Sequence, residues 1–341
     1  MSARRTFYQV PVAAVIAETE QASSFVLAVP GELAQAFAYR AGQFITVRVP
    51  APDGASVARC YSLSSSPVAG EPACFTVKRM PSGYASNWII EHVMAGTVLD
   101  VLPPAGTFTP RSLDSDLLLI AAGSGITPVM SILKSALRAG RGRIALVYAN
   151  ADERSVIFAP ALRDLQALAP HRLVIVHWLD AVQGPPTASA LRELFRPYAG
   201  HEAFVCGPDP YMATARQALG ELGVPAPRVH VERFVSLAEN PFEAEPDAGG
   251  IAAVLEVALG ERTRKLDWPA GLRMLDVLIG AGLDAPYSCR EGVCGACACR
   301  LIRGEVEMAH NEVLEVRDLA EGYVLACQSI ALTSEVSVDY S

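Results

Sequence analysis

The stretch Tyr287-Ser-Cys-Arg-Glu-Gly-Val-Cys-Gly-Ala-Cys297 carries three cysteines in the pattern C-x4-C-x2-C, and Cys327 follows 30 residues later. A short loop can bring three thiolates around a metal centre only where small residues let the backbone curl closely. Gly292, Gly295 and Ala296 supply such positions. The fourth thiol ends a separate apolar segment. Cys289, Cys294, Cys297 and Cys327 are therefore candidate ligands of a metal centre.

This spacing is similar to that of plant-type ferredoxins, and the resemblance implies a 2Fe-2S cluster on the four cysteines. A zinc site or buried free thiols are the alternatives. Zinc sites favour paired C-x2-C knuckles, whereas this loop has a single C-x2-C pair. Cys299 would turn to the same side of a strand as Cys297. Because the resemblance does not use it, we interpret Cys299 as a packed free thiol.

The charge of the chain is unevenly distributed. Its 341 residues, 51% of them hydrophobic, suffice for two or three domains, and the net charge is -8. Residues 251–341 hold 14 acidic and 8 basic side chains, and residues 236–250 hold four acids and no base. This sign disfavours a nucleic-acid partner. The acidic region would either guide the last domain toward a basic patch on a redox partner or form a merely solvated surface.

Neither a disulfide framework nor a membrane span is indicated. The cysteines outside the predicted metal site are scattered, which favours a reducing compartment. The N-terminus has no apolar run behind its arginines. The 17 uncharged residues from Leu117 to Leu133 contain Gly123, Gly125 and Pro128, so a strand, a turn and a helix explain them better than a span. We expect a soluble, cytoplasmic protein without a membrane partner.

Residues 1–111 show short β runs separated by turn signals, which predicts a small antiparallel barrel. One run ends in Arg59-Cys-Tyr-Ser62, offering a guanidinium for a phosphate, a ring for stacking and a hydroxyl. Alone, this could equally be a surface strand. Further on, the residues from Gly83 to Asn87 would open a helix whose backbone N–H groups can hold a pyrophosphate. The alternative is that Ser86 or Asn87 only caps the helix.

The two motifs together resemble the R-x-Y-S and G-x-x-S flavin-binding elements of the ferredoxin-NADP reductase superfamily. The resemblance implies a barrel that binds FAD, with Ser62 hydrogen-bonded near the reactive flavin nitrogen. It implies FAD contacts from Arg59, Cys60, Tyr61, Ser62, Val77, Lys78, Arg79, Gly83, Tyr84, Ala85, Ser86 and Asn87.

Strands and helices alternate in residues 112–235, which predicts a doubly wound parallel α/β sheet with its ligand at the carboxyl ends of the strands. Two strand ends stand out: the turn from Ala122 to Pro128, G-x-G-x-x-P, and the turn from Cys206 to Met212, which begins C-G-P. In the superfamily these turns receive the nicotinamide nucleotide, and Thr127 and Cys206 would shape the hydride approach. The implied contacts are Gly123, Ser124, Gly125, Ile126, Thr127, Pro128, Cys206, Gly207, Pro208, Asp209 and Met212.

The segment from Tyr148 to Ser155 offers carboxylates for a free ribose and also Arg154 for a 2'-phosphate, and it favours NADH over NADPH. By resemblance Phe234 lies near the flavin, with core packing as the alternative, and Glu232 belongs to the same region. Residues 236–250, acidic and rich in Pro and Gly, are predicted to be a linker that lets the last domain reorient. Residues 251–341 have the strand, helix and loop order of an α+β ferredoxin β-grasp.

The order of the three domains resembles the reductase components of multicomponent oxygenases. Within this family the chain is most similar to reductases of 3-ketosteroid 9α-hydroxylases; those of phenylacetyl-CoA epoxidase and aromatic-ring hydroxylases share the arrangement. The resemblance implies an electron-transfer enzyme, and we expect it to act as a monomer. It would take hydride from NADH onto FAD and pass single electrons to a terminal oxygenase, Rieske-type in first place, or to a cytochrome P450. A redox sensor without turnover is the competing class.

Overall fold

The computed structural model of the protein describes residues 7–52, 54–234, 237, 240–242, 251–260 and 262–340. Its strands are β1 (Tyr8–Thr19), β2 (Ala22–Leu27), β3 (Phe44–Pro50), β4 (Ser56–Ser62), β5 (Cys74–Lys78), β6 (Val98–Ala105), β7 (Leu117–Ala122), β8 (Ile144–Asn150), β9 (Leu173–Leu179), β10 (Glu202–Cys206), β11 (Val229–Glu232), β12 (Ile251–Leu259), β13 (Arg262–Pro269), β14 (Ala298–Arg303), β15 (Val306–Met308), β16 (Tyr323–Leu325), β17 (Ser329–Ala331) and β18 (Glu335–Asp339). Its helices are α1 (Tyr84–His92), α2 (Ile126–Ala139), α3 (Ala159–Leu168), α4 (Asp180–Gln183), α5 (Ala188–Phe195), α6 (Asp209–Glu221), α7 (Met274–Gly280) and α8 (Val316–Ala320).

The first six strands form an antiparallel sheet in the order β4-β3-β6-β1-β2-β5. A bridge between Leu63 and Phe75 joins its two edges, so the sheet curls into the predicted barrel. The strand β6 continues through two prolines to Ala105. Pro103 and Pro104 lie where the register with β3 shifts, and a bulge accommodates residues without an N–H.

The second domain has five parallel strands in the order β11-β10-β7-β8-β9, as the alternating pattern predicted. Every residue of β7 and β8 is buried, because helices cover both faces of the sheet. The register pairs Cys206 of β10 with Ala121 of β7. The two glycine-containing turns that follow these strands therefore lie side by side. The short helix α4 was not predicted.

The third domain has a five-stranded mixed sheet, β13-β12-β18-β14-β16, in which β12 and β18 are parallel. Leu275 and Leu278 of α7 join Trp268 in its core, and the indole nitrogen of Trp268 donates to the Leu272 carbonyl at 2.8 Å. A separate pair, β15 and β17, lies beside the sheet. This is the expected α+β ferredoxin arrangement.

Most of the predicted linker lies outside the described residues. Of its described part, Leu237 is buried against the barrel residues Phe44 and Ala58. The amide of Asn240 donates to both the carbonyl and the hydroxyl oxygen of Ser56 at 2.8 Å. The described portion of this segment thus packs on the barrel. Across the ranges that the structure covers, no helix has both the length and the apolar character to cross a membrane.

Candidate active site

A cleft of about 1150 Å³ lies between the barrel and the parallel-sheet domain. Both predicted flavin motifs and both glycine-containing turns reach it. The predicted residues along it are Arg59, Cys60, Tyr61, Ser62, Val77, Lys78, Arg79, Gly83, Tyr84, Ala85, Ser86, Asn87, Gly123, Ser124, Thr127, Gly207, Pro208, Asp209 and Phe234. Sequence reasoning missed Gln21, Thr76, Met80, Pro81, Ser82 and Ala122, which also line it. Most of these flank the motifs, and Gln21 carries no sequence signal at all.

Ser62 supplies a test of whether a ligand fits this cleft. The residue is 3% exposed, and its hydroxyl has no hydrogen-bond partner within the described structure. Leaving a buried hydroxyl unpaired costs about 1–3 kcal/mol. A bound flavin with a ring nitrogen at this position would remove that cost. Burial also raises the pKa of the neighbouring Tyr61, which therefore stays a neutral ring suited to stacking.

The N-terminus of α1 is formed differently from the capping alternative. Gly83 is the N-cap and carries no side-chain cap. The Ser86 hydroxyl accepts from the Met80 N–H at 3.2 Å, and the Asn87 amide donates to the Met80 carbonyl at 3.3 Å. A Cβ at Gly83 would lie 2.8 Å from that of Met80, so the loop requires glycine there. Without a side-chain cap, the first-turn N–H groups can bind the pyrophosphate of a flavin dinucleotide.

Two of the cleft's cations have protein contacts. Arg79 forms a 2.6 Å ion pair with Glu91, which leaves its guanidinium less available to a ligand. Arg59 donates to the carbonyl of Ala58 at 2.7 Å. Lys78 instead extends from β5 toward the facing domain, where its Nζ lies 3.5 Å from the position that a Cβ on Gly123 would occupy. Lys78 thus places positive charge beside the predicted nucleotide turn.

The two nucleotide turns pack directly on each other. A Cβ at Gly125 would lie 2.1 Å from the Cys206 carbonyl oxygen, so no larger residue fits. The Thr127 hydroxyl donates to the Ser124 carbonyl at 3.1 Å, which closes the first turn of α2. This packing places Ser124 and Thr127 at the wall of the cleft, opposite the flavin motifs.

Five of the predicted nucleotide residues lie behind the wall instead of along it: Gly125, Ile126, Pro128, Cys206 and Met212. The Cys206 side chain is fully buried, and burial raises the pKa of its thiol well above the ordinary value. Met212 belongs to the hydrophobic core on the other face of the sheet. A role of Cys206 in the hydride approach stays a prediction. Its buried position indicates that the side chain packs beneath the turn and supports it.

The four predicted cluster cysteines form two pairs. The sulfur of Cys289 interacts with that of Cys294, and this hydrogen bond lowers the Cys289 pKa to about 6. Cys297 is paired with Cys327 in the same way, and the Cys327 pKa is also lowered. Backbone N–H groups donate to the sulfurs, among them that of Ala296 to Cys294 at 3.5 Å and that of Cys327 to Cys297 at 3.4 Å.

Two such cysteine pairs would fit two irons, one pair on each. Zinc would need side chains that converge on a single point. Within the part of the chain that the structure describes, no three His, Cys, Asp or Glu side chains are grouped to hold one metal ion. Cys299 belongs to neither pair. Its sulfur is buried in the core, 4.0 Å from that of Met274, and burial raises its pKa to about 12, as for a packed thiol.

A second cavity, of about 420 Å³, lies between the cleft and the cluster loop. Cys60, Ser62 and Phe234 line both cavities, and Cys289 and Cys294 line the second one. The end of β4 therefore separates the cleft from the cluster cysteines.

Two residues from the end of the parallel-sheet domain also reach this region. Phe234 is 48% exposed, so the core-packing alternative for this residue is wrong. Glu232 lines the second cavity, and burial raises its pKa to about 8. Both residues thus lie beside Cys60 and Ser62 of the predicted flavin motif, and their closeness to a bound flavin stays a prediction.

The three parts of the chain match known domain families. Residues 9–109 match the oxidoreductase FAD-binding domain, residues 119–217 the oxidoreductase NAD-binding domain, and residues 257–332 the 2Fe-2S iron-sulfur cluster binding domain. These matches confirm an FAD, a nicotinamide nucleotide and a 2Fe-2S cluster as the predicted cofactors.

Relatives and a solved structure extend over nearly the whole chain. The ferredoxin reductase component of 3-ketosteroid-9-alpha-monooxygenase from Rhodococcus rhodochrous is 50% identical over 96% of this chain and 95% of its own length. A component of 1,2-phenylacetyl-CoA epoxidase from Escherichia coli is 35% identical over 98% of this chain and 98% of its own length. The structure of phthalate dioxygenase reductase has the same fold, with a TM-score of 0.57 at 24% identity over 98% of each chain.

An identity of this level over almost the full length, together with the matching order of the domains, leaves one assignment. The chain belongs to the family of ferredoxin reductase components of oxygenase systems, oxidoreductases that carry FAD-binding, NAD-binding and 2Fe-2S domains in a single chain.

Proposed function

We propose that this chain takes hydride from NADH onto FAD and passes single electrons through its 2Fe-2S cluster to a terminal oxygenase, in first place that of a 3-ketosteroid 9α-hydroxylase. The observation that supports it is the shared wall: Cys60, Ser62 and Phe234 line both the nucleotide cleft and the cavity that reaches Cys289. A bound flavin supplies the exchange between a two-electron donor and a one-electron acceptor.

The chain's own residues orient the reactants. The first turn of α1 and the Arg59 guanidinium bind the flavin phosphates, while Ser62 fixes the ring edge through its unpaired hydroxyl. The turn from Gly123 to Thr127 holds the nicotinamide nucleotide against the opposite side of the cleft. Phe234, exposed where the two cavities meet, offers an aromatic face to the ring and limits the access of water. We see no group in this arrangement that must act as a general acid or base.

NADH is the proposed donor. The segment after β8 contains Asp152, Glu153 and Arg154, two carboxylates against one cation. Asp152 accepts from the Ser155 N–H at 2.9 Å, which holds its carboxylate at the end of the strand. A carboxylate there favours a free ribose hydroxyl and repels a 2'-phosphate. The ratio of kcat/KM for NADH to that for NADPH tests this choice, and a ratio below one would reverse it.

The oxygenase partner is proposed to be a Rieske-type enzyme, with a monomeric reductase acting in the cytoplasm. The 50% identical relative carries the name of a 3-ketosteroid-9-alpha-monooxygenase component, which favours a steroid oxygenase. The 35% identical relative belongs to a phenylacetyl-CoA epoxidase, so a reductase for that or another aromatic-compound oxygenase, or for a P450, is the second candidate.

An anaerobic NADH titration tests the electron path, with flavin bleaching and the iron-sulfur absorbance followed together. About three electrons should be taken up per chain, two by flavin and one by the cluster. Flavin reduction without any cluster signal, in protein with full iron content, would contradict the path. When the protein is then mixed with NADH, a 3-ketosteroid and the oxygenase that the Rhodococcus rhodochrous relative serves, hydroxylated steroid should form. If product forms only with the phenylacetyl-CoA epoxidase components and their substrate, the second candidate is favoured.

A further inference from the structure

The barrel and the cluster loop are joined by a buried hydrogen bond between two hydroxyl groups. The oxygens of Thr46 and Ser288 lie 2.6 Å apart, although the residues are 242 positions apart in the chain. Thr46 is 0% and Ser288 1% exposed. Because water cannot reach this hydrogen bond, solvent does not compete for it, and it holds the two surfaces in one geometry.

Each end of this bond is attached to one of the redox sites. Thr46 of β3 pairs with Cys60 of β4, and its hydroxyl lies 3.5 Å from the Cys60 sulfur. Cys60 lines the cleft as part of the predicted flavin motif. Ser288 directly precedes the cluster ligand Cys289. One hydrogen bond therefore connects the flavin strand to the cluster loop.

The surface around the bond is apolar and close-packed. Phe44, Ala58 and Ala105 of the barrel form one hydrophobic cluster with Cys289 and Cys294. Alternation along β3 and β4 turns Phe44, Thr46, Ala58 and Cys60 to the same side of the sheet, toward the cluster loop. Apolar contact permits sliding, whereas a hydroxyl pair has a required distance and direction.

We propose that Thr46 is a positioning residue for single-electron transfer, because its bond to Ser288 holds the cluster loop at a fixed distance from the flavin strand. This inference rests on the proposed function. Hydride transfer brings two electrons and one proton to the flavin. The two electrons would then leave the flavin one at a time. Each would reduce one ferric ion of the cluster to ferrous and then pass to the external acceptor, while the proton returns to solvent.

The test is an anaerobic stopped-flow experiment on the full protein, in which flavin reduction and cluster reduction are resolved after mixing with NADH. T46V keeps the side-chain shape but removes the hydroxyl. We expect cluster reduction to slow about tenfold or more, since small misplacements of reacting groups have large rate effects, while flavin reduction stays within about twofold. T46S should restore the rate of cluster reduction. S288A should slow it as much as T46V does, and combining T46V with S288A should slow it no further.

A matched control exists at the other domain boundary. Ser66 and Ser135 form a similarly buried hydroxyl pair, 2.8 Å apart, between the barrel and α2. S135A should leave the ratio of the two rates unchanged. The FAD and iron content per chain is measured for every variant, so a loading defect is separated from slow transfer.

Three results would overturn the inference: an unchanged T46V cluster rate, equal slowing of both phases, or an S135A effect as large as that of T46V. The proposed function has a separate failure. If wild-type protein with full iron content reduces its flavin but not its cluster, the electron path is wrong whatever Thr46 does.

Discussion

At the scale of the residue, Ser62 is the side chain whose surroundings most directly indicate a bound ligand. Its hydroxyl is buried and unpaired in the described structure, whereas Ser64, two positions on, bonds the Thr76 hydroxyl at 2.8 Å. Ser62 is therefore available to a ligand, whereas the Ser64 hydroxyl is used within the barrel itself.

Ser62→Ala is expected to slow flavin reduction by NADH about 10- to 100-fold, because a hydrogen bond to the reacting region is lost. The FAD content should stay near that of the wild type, since the phosphate contacts remain. Stopped-flow flavin bleaching measures the effect. Ser64→Ala is the control and should keep the wild-type rate; a wild-type rate for Ser62→Ala would remove Ser62 from the reaction.

Cys299→Ala is expected to retain the cluster, because Cys299 packs against Met274 and lies in neither thiol pair. Cys327→Ala removes one member of a pair and should abolish the 2Fe-2S signal. Iron content and the electron paramagnetic resonance signal after reduction distinguish the two. Loss of iron in Cys299→Ala, with the fold intact by circular dichroism, would assign Cys299 to the cluster.

The sequence motifs located the cleft residues well where the backbone itself lines the cleft. They did so less well where the direction of a side chain decides whether the residue reaches the cleft. The residues from Gly83 to Asn87 lie along the cleft as expected. Cys206 and Met212 belong to an equally specific turn, but their side chains point into the core. The direction of a side chain at a strand end depends on packing from the next helix, which spacing along the chain does not reveal.

At the scale of the element, the contact between the turn before α2 and the end of β10 is the tightest constraint on the nucleotide site. Gly125→Ala would place a Cβ 2.1 Å from the Cys206 carbonyl oxygen, so the turn must move. We expect a loss of a few kcal/mol in the free energy of unfolding and a marked rise in the KM for NADH. Denaturant titration and steady-state kinetics measure the two effects.

Gly220→Ala is the control for this substitution. Gly220 lies within α6, and nothing is within 4 Å of the Cβ that it would gain. Because Gly220 lies in the last turn of α6, alanine there should raise the free energy of unfolding by at most about 0.5–1 kcal/mol. If Gly125→Ala were as harmless as Gly220→Ala, the close packing of the two turns would not limit the site.

At the scale of the whole molecule, Glu232 lies where the three domains meet around the second cavity. Its pKa is raised to about 8 by burial, against an ordinary value of 4.5. A raised carboxyl pKa means that the folded protein binds the proton more tightly than the unfolded chain. The resulting stability is fully present below about pH 4.5 and is lost as the pH rises through about 8.

Glu232→Gln is expected to flatten this pH dependence, because the amide carries no charge to desolvate. The wild type should lose on the order of 1–3 kcal/mol more than the variant in the free energy of unfolding between about pH 5 and pH 8, a range that allows for partial exposure to the cavity. Denaturant titrations of both proteins at each pH give the difference directly. Parallel curves for the two proteins would show that Glu232 keeps its charge in the fold.

Local spacing and backbone requirements along the chain were enough to predict the order of the three domain types. They also singled out the four candidate cluster cysteines and the motif residues of the cleft, because neighbouring residues reveal such requirements. Three features are visible only in the folded chain: the contact of Thr46 with Ser288, the open position of Phe234 between two cavities, and the desolvation of Glu232 beside them. These features arise where separate domains close on each other. Contacts between residues so distant along the chain depend on how whole sheets pack, and no local pattern specifies that.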